Sequence, residues 1–229
     1  MIFNKTYLKF LKWQFFIPAD FKYTSTCHVD LGSGNKIRNP FNSTMVVGTD
    51  YKLPANQDLG SNFYVFDLTK DFPFENNSIS SFSAFDVVEH IPRWERISND
   101  KIAFPFINFM NEINRCLKSG GYFLAVTPAY PSKSAFQDPT HVNFITEETV
   151  NYFSEDGWAK NLDYEYSGDF RIVHQSWVYS NFVNNSLKKR PSNGLIYAAE
   201  LFINLIKIFK NIYINNNRPT HLMWILQKI

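Results

Sequence analysis

Two groups of residues in this chain have the types and spacing to do chemistry. The first is Asp30, Gly32 and Gly34 in the run His28-Val-Asp-Leu-Gly-Ser-Gly-Asn35, followed by Asp50 at the end of Met45-Val-Val-Gly-Thr-Asp50. Glycines let a backbone turn approach a ligand closely, and an acid at the tip of the next strand accepts hydrogen bonds from ribose hydroxyls. Together they make a nucleoside pocket, with Leu31 carrying the backbone between the acid and the glycines. The second group is Glu89-His90 and the later run Asp138-Pro-Thr-His141. A histidine titrates near neutrality and can take a proton from an acceptor hydroxyl, so His141 is the candidate base. Asp138 would fix its loop or its imidazole, and His90 is the next candidate.

The order of the first group selects the nucleoside. A dinucleotide turn reads G-x-G-x-x-G and aims helix N–H groups at a pyrophosphate. Here the acid comes first, and Ile37 stands where a third glycine would be. An acid ahead of the glycines suits a ligand with a cationic ammonium or sulfonium end, which points to S-adenosylmethionine (SAM).

The elements that must hold these residues alternate along the chain. Strands are expected at the glycine motif, at 45–50, at Asn62-Phe-Tyr-Val-Phe-Asp67 and at Ser80 to Ile91, the last ending in the Glu89-His90 pair. A helix should end at Arg115-Cys-Leu-Lys-Ser-Gly-Gly121, with Gly120 or Gly121 as its left-handed cap, and a fifth strand should run from Tyr122 to Pro128. Residues 35–44 are too few for a regular crossover helix, which needs about 10–12 residues or more, so that connection is expected to be a turn. A helix capped by Thr146-Glu-Glu148, a strand at 170–179, a long helix at 195–214 and a closing strand at 221–226 complete the pattern.

This succession resembles the class I SAM-dependent methyltransferases of the "methyltransferase type 11" group. The resemblance covers roughly residues 25–155 and rests on Asp30/Gly32/Gly34, Phe85-Asp-Val-Val-Glu-His-Ile91 and Glu112-Ile-Asn-Arg-Cys-Leu-Lys-Ser-Gly-Gly121. The run Phe136-Gln-Asp-Pro-Thr-His-Val-Asn-Phe-Ile-Thr-Glu147 is similar to a subgroup associated with bacterial surface-polysaccharide genes. The resemblance implies an α/β, Rossmann-like, seven-stranded mixed sheet with helices on both faces and an antiparallel edge. It also implies that Asp50 holds the ribose diol, Tyr51 stacks near the adenine, Asp67 and the backbone of Leu68 receive the adenine amino group, and Glu89 lies beside the methionine end. A related acid-x-x-Glu-His arrangement holds a divalent cation in methyltransferases of ubiquinone assembly. Asp86 reads as a structural strand residue, so no metal is expected.

Composition bounds the rest. A chain of 229 residues forms one domain of ordinary size, expected to span 25–229 behind an amino-terminal helical segment at 1–24. A formal net charge of +2 argues against a phosphate-tracking surface and hence against a nucleic-acid partner. Cys27 and Cys116 read as small core residues of a reducing compartment. Lysines at 5, 9 and 12 interrupt any signal-peptide core, so a cytoplasmic protein is expected. The amphipathic 1–24 segment and the 195–214 helix are expected to pack on the domain, the alternative being weak contact with the inner membrane face. The acceptor is expected to be a small molecule or a glycan. A SAM-binding protein without transfer activity and a nicotinamide-dependent oxidoreductase stand as alternatives.

Overall fold

A computed structural model describes residues 26–53, 62–162, 164–179 and 219–229, with 195, 199, 202, 203 and 206 besides. The expected 1–24 segment and most of the 195–214 helix lie outside the described residues. The five described positions of that helix are helical, and Leu195, Phe202, Ile203 and Ile206 are exposed. Among the described residues no helix is long and apolar enough to cross a membrane.

Among the described residues nine strands form: β1 (Cys27–Leu31), β2 (Met45–Asp50), β3 (Phe63–Val65), β4 (Ile79–Phe85), β5 (Glu95–Ser98), β6 (Lys101–Ala103), β7 (Leu117–Pro128), β8 (Phe170–Val178) and β9 (His221–Lys228). Seven make one sheet in the order β3-β2-β1-β4-β7-β9-β8, and β5-β6 is a separate hairpin that the sequence did not suggest. The expected mixed α/β sheet is present, and the late pair of strands completes it with an antiparallel edge. β9 runs antiparallel to both its neighbours, β7 and β8, and lies one strand in from that edge.

The strands read as apolar runs because both faces are covered. Alternate residues of β7 and β9 serve different clusters. Phe123, Ala125, Trp224 and Leu226 join the larger core with α1 (Pro105–Cys116), while Tyr122, Leu124, Val126, Met223 and Ile225 join Phe41 and Phe85 on the other face. α1 starts with Pro105 at its first position, where a missing N–H costs nothing. It buries Phe106, Phe109, Met110 and Ile113 on one side. On the other, Asn111 and Asn114 donate to the carbonyls of Glu165 and Asp169. Arg115 closes the end of the helix by donating to Glu112 and to the carbonyls of Phe72 and Phe74, which is a structural clamp.

Three local expectations need correction. Leu117 leaves α1 in an extended conformation, and Gly120, at φ +75°, lies inside β7. The register slips between Ile79 and Ser81 there, so this glycine is a bulge and not a helix cap. β4 stops at Phe85; Asp86 turns to φ +54°, and Glu89 and His90 belong to a 3-10 turn, Val88–His90. The helix expected after Thr146 is a single 3-10 turn, Val150–Phe153.

The β1–β2 connection has no helix, as its length dictates. Ile37 and Phe41 replace the missing apolar face. Ile37 packs so closely over Gly48 that a Cβ there would meet its Cγ1 at 2.6 Å, and Phe41 enters the cluster on the second face.

Candidate active site

The candidate residues gather at the carboxyl ends of β1, β2, β4 and β7, where open α/β sheets place their ligands. Asp30 lies at the end of β1 with no exposed surface. Its Oδ2 accepts from the Arg38 backbone N–H at 2.7 Å, and its Oδ1 accepts from the Ser83 hydroxyl at 2.6 Å. Because Ser83 donates there, it accepts from His28 Nε2 at 2.9 Å, and His28 Nδ1 then accepts from Ser81 at 2.7 Å. This buried chain ties the glycine turn to β4. Burial pushes the Asp30 carboxyl up to about 6 and the His28 imidazole down to about 3. Asp30 therefore orders the turn from below.

Gly32 and Gly34 both adopt positive φ, +60° and +55°. They differ in what surrounds them. A Cβ on Gly32 would meet Val87 Cγ2 at 2.5 Å, whereas one on Gly34 would meet nothing within 4 Å. Gly34 thus fronts open space, and its N–H donates to Asp50 Oδ2 at 3.0 Å. Asp50 Oδ1 accepts from the Tyr51 N–H, and each oxygen keeps a further lone pair for a ligand. Tyr51 is exposed beside it, with the Lys52 ammonium 5.0 Å from its ring centroid. Leu31 is a core residue and offers only backbone. Asp67 is exposed, and its Oδ1 accepts from the Thr69 N–H and hydroxyl, both at 2.8 Å, so it caps a turn. Leu68 packs against the core.

The second group meets a short distance away. Glu89 is 1 % exposed; Oε2 accepts from the Thr127 hydroxyl at 2.9 Å, and Oε1 is buried with no hydrogen-bond partner among the described residues. Burial pushes this carboxyl up to about 8. Its backbone carbonyl accepts from the N–H groups of Val142 and Asn143, which fastens the 138–144 loop to the 3-10 turn. His141 Nδ1 lies 3.2 Å from the Ala135 carbonyl, which can only accept, so Nδ1 carries the hydrogen and Nε2 keeps its lone pair. That Nε2 faces Glu89 Oε1 at 4.0 Å and Asp138 Oδ2 at 3.9 Å. The His90 and His141 rings stand edge to face, 4.9 Å apart. Asp138 accepts from the Thr140 N–H and hydroxyl, which hold its carboxyl below the usual range, and Thr140 Oγ1 lies 3.1 Å from His90 Nδ1.

The fold therefore gathers Glu89, His90, Asp138 and His141, and sets Glu89 toward His141 and Thr127. Several partners had no local signal. Arg93 braces the loop through Asn143 Oδ1 at 2.7 Å and the Phe144 carbonyl. Asp86 turns away from Glu89 and pairs with His221 Nε2 at 3.1 Å. Tyr130, Phe136 and Phe144 stand exposed beside the loop, the last two stacked 5.0 Å apart. Only Asn143, two residues beyond His141, had a position that hinted at its role.

No protein-family model and no curated protein matches the sequence. Solved structures do match. A SAM-dependent methyltransferase from Archaeoglobus fulgidus superposes with a TM-score of 0.50 at 13% identity, over 89% of this chain and 86% of that one. The chain shares the fold of that methyltransferase. The YcgJ protein of Bacillus subtilis is also similar, with a TM-score of 0.47 at 14% identity, over 92% of this chain and 94% of that one.

Proposed function

We propose that this protein transfers a methyl group from SAM to a small-molecule or glycan acceptor. The observation that carries the reading is the open space in front of Gly34, bounded by Asp50 and floored by the buried Asp30 network. A cofactor with a ribose and a cationic amino-acid end suits it. The acceptor would lie over the 138–144 loop, beside Glu89, His90 and His141. The exposed rings of Tyr130, Phe136 and Phe144 favour a ring-shaped acceptor such as a sugar, whose apolar face can stack on them. The rings support a glycan acceptor; that it belongs to surface-polysaccharide synthesis, in the cytoplasm or at the inner membrane face, is part of the proposal.

The sulfonium is already an activated electrophile, so the protein's contribution is chiefly alignment. The acceptor oxygen attacks the methyl carbon, the carbon–sulfur bond breaks, and S-adenosylhomocysteine leaves. The acceptor proton passes to the lone pair at His141 Nε2, which would act as the base. Calorimetric titration with SAM and with NAD tests the cofactor: SAM should bind and NAD should not. Labelled SAM incubated with cell extract and the protein should yield a labelled product. SAM binding without any methylated product would leave a SAM-binding protein that does not transfer.

A further inference from the structure

We propose that Glu89, His90 and His141 hold a divalent first-row transition cation that binds the acceptor oxygen, a role that rests on the methyl-transfer reading. The spacing Asp86-x-x-Glu89-His90 gives no reason to expect this, because Asp86 is the residue that would complete a local set, and it is committed to His221. The fold supplies a different third ligand from a distant loop. One ligand-capable atom from each of Glu89, His90 and His141 lies within 4.8 Å of the others. Ligands at about 2.0–2.2 Å from one ion stand roughly 3–4.4 Å apart, so small side-chain rotations close the set.

Each of the three residues can present a lone pair to an ion. Glu89 Oε1 is buried and has no partner among the described residues. His141 gives its Nδ1 hydrogen to the Ala135 carbonyl, which leaves Nε2 as a lone pair directed at the same space. A backbone carbonyl behind the imidazole is the arrangement that orients metal-binding histidines. His90 Nδ1 lies 3.3 Å from the Thr140 carbonyl and 3.1 Å from Thr140 Oγ1, which itself donates to Asp138. Its hydrogen is thereby placed on Nδ1, and its Nε2 is the second imidazole lone pair. Asp138 Oδ2, 3.9 Å from His141 Nε2, adds negative charge at the rim. Glu89 Oε1 and His141 Nε2 stand 4.0 Å apart, too far for a hydrogen bond to join them, so a ligand set without an occupant leaves the buried Glu89 oxygen unsatisfied.

Two imidazoles and one carboxylate suit Mn²⁺, Co²⁺ or Zn²⁺ better than Mg²⁺, which prefers oxygen ligands and retains water. Glu89 and His141 are nearly buried while His90 and Asp138 are exposed, so the open coordination positions face the acceptor loop. With the ion bound, His141 Nε2 would be a ligand and not the base; the ion would make an acceptor hydroxyl more acidic, and its proton would go to solvent as the oxygen attacks the methyl group.

The test is calorimetric titration of untagged, chelator-stripped protein with Mn²⁺, Co²⁺ and Zn²⁺, together with the visible spectrum of the Co²⁺ form. One ion should bind per chain, with a Co²⁺ spectrum of nitrogen–oxygen ligation. Glu89→Gln and His141→Ala should each weaken binding at least tenfold, a loss already produced by disturbing the partners of metal ligands. His90→Ala changes an exposed side chain, so it keeps the test valid if a buried variant fails to fold. No ion bound at millimolar concentration, or binding unchanged in Glu89→Gln and His90→Ala, overturns the proposal and leaves the gap to a water molecule. SAM titration of the same stripped protein separates the two readings: SAM binding without metal binding removes only the cation, whereas loss of SAM binding removes the methyl-transfer reading itself.

Discussion

Replacing Gly34 and Gly32 by alanine, one at a time, separates the cofactor space from the scaffold that holds it. Both residues sit at positive φ, and a non-glycine residue there costs roughly 1–2 kcal/mol. For Gly34→Ala that is the whole folding cost, because its new methyl group meets nothing within 4 Å. At about 2–4 °C per kcal/mol for a domain of this size, its melting temperature should fall by about 2–8 °C. Gly32→Ala must also displace Val87, whose Cγ2 would stand 2.5 Å from the new carbon. Such overpacking adds roughly 1–3 kcal/mol, so this variant should melt well below the first. Cofactor binding should run in the opposite order relative to stability. The Gly34→Ala methyl projects into the space assigned to SAM and should weaken binding tenfold or more, a loss of at least about 1.4 kcal/mol. Thermal melts and calorimetric titration at 25 °C read both quantities. A Gly34→Ala protein that melts cooperatively in the expected range and binds SAM at wild-type affinity would refute the placement of the cofactor.

Asp50→Asn loses the charge and one of the two oxygens that accept from the Gly34 and Tyr51 amides, setting an amide NH2 against one of those donors; calorimetry should show SAM affinity falling roughly tenfold to a hundredfold, as for loss of about 1.5–3 kcal/mol of charge-assisted hydrogen bonding. His141→Ala should leave SAM affinity nearly intact while single-turnover methyl transfer slows about 10²–10⁴-fold, and an unchanged rate with the true acceptor would remove His141 from the chemistry. Stability should also depend on pH through His28, whose imidazole burial lowers from 6.5 to about 3. Below about pH 6.5 the unfolded chain takes a proton there and the folded one does not, so stability present above 6.5 is lost as pH falls toward 3, by up to about 5 kcal/mol. Denaturant unfolding of wild type and His28→Gln should diverge across that window, and parallel curves would mean that the folded protein protonates His28 freely.

The parts of the fold that were legible in the sequence are those set by local pattern. β2 and the start of β8 fall where apolar runs ending in polar residues put them, and the helix-free β1–β2 connection follows from its length alone. What was not legible depends on partners distant in sequence. Nothing near residue 221 says that β9 enters between β7 and β8, because either edge of a strand can pair and its residues look the same. The glycine pair after α1 fits a helix cap and a strand bulge equally well, and the β4 register decides for the bulge. At the site, residue types pointed to Asp30, Asp50, Glu89 and His141, but not to directions. Asp86 at positive φ redirects the chain after β4, so Glu89 turns toward Thr127 and His141 while Asp86 goes to His221.

The interior position of β9 has a consequence for synthesis. β7 leaves the ribosome long before its outer neighbour exists, and through that interval its edge, with Phe123, Leu124 and Val126 along it, has no strand to pair with. β8 cannot cover it, because in the finished sheet β8 is not a neighbour of β7. Both the exposed edge and the long-range pairing that removes it favour slow folding and association between nascent chains. Substitutions in β9 should therefore show first as lost soluble yield, sensitive to temperature and chaperone supply, and only afterwards as a change in the purified protein.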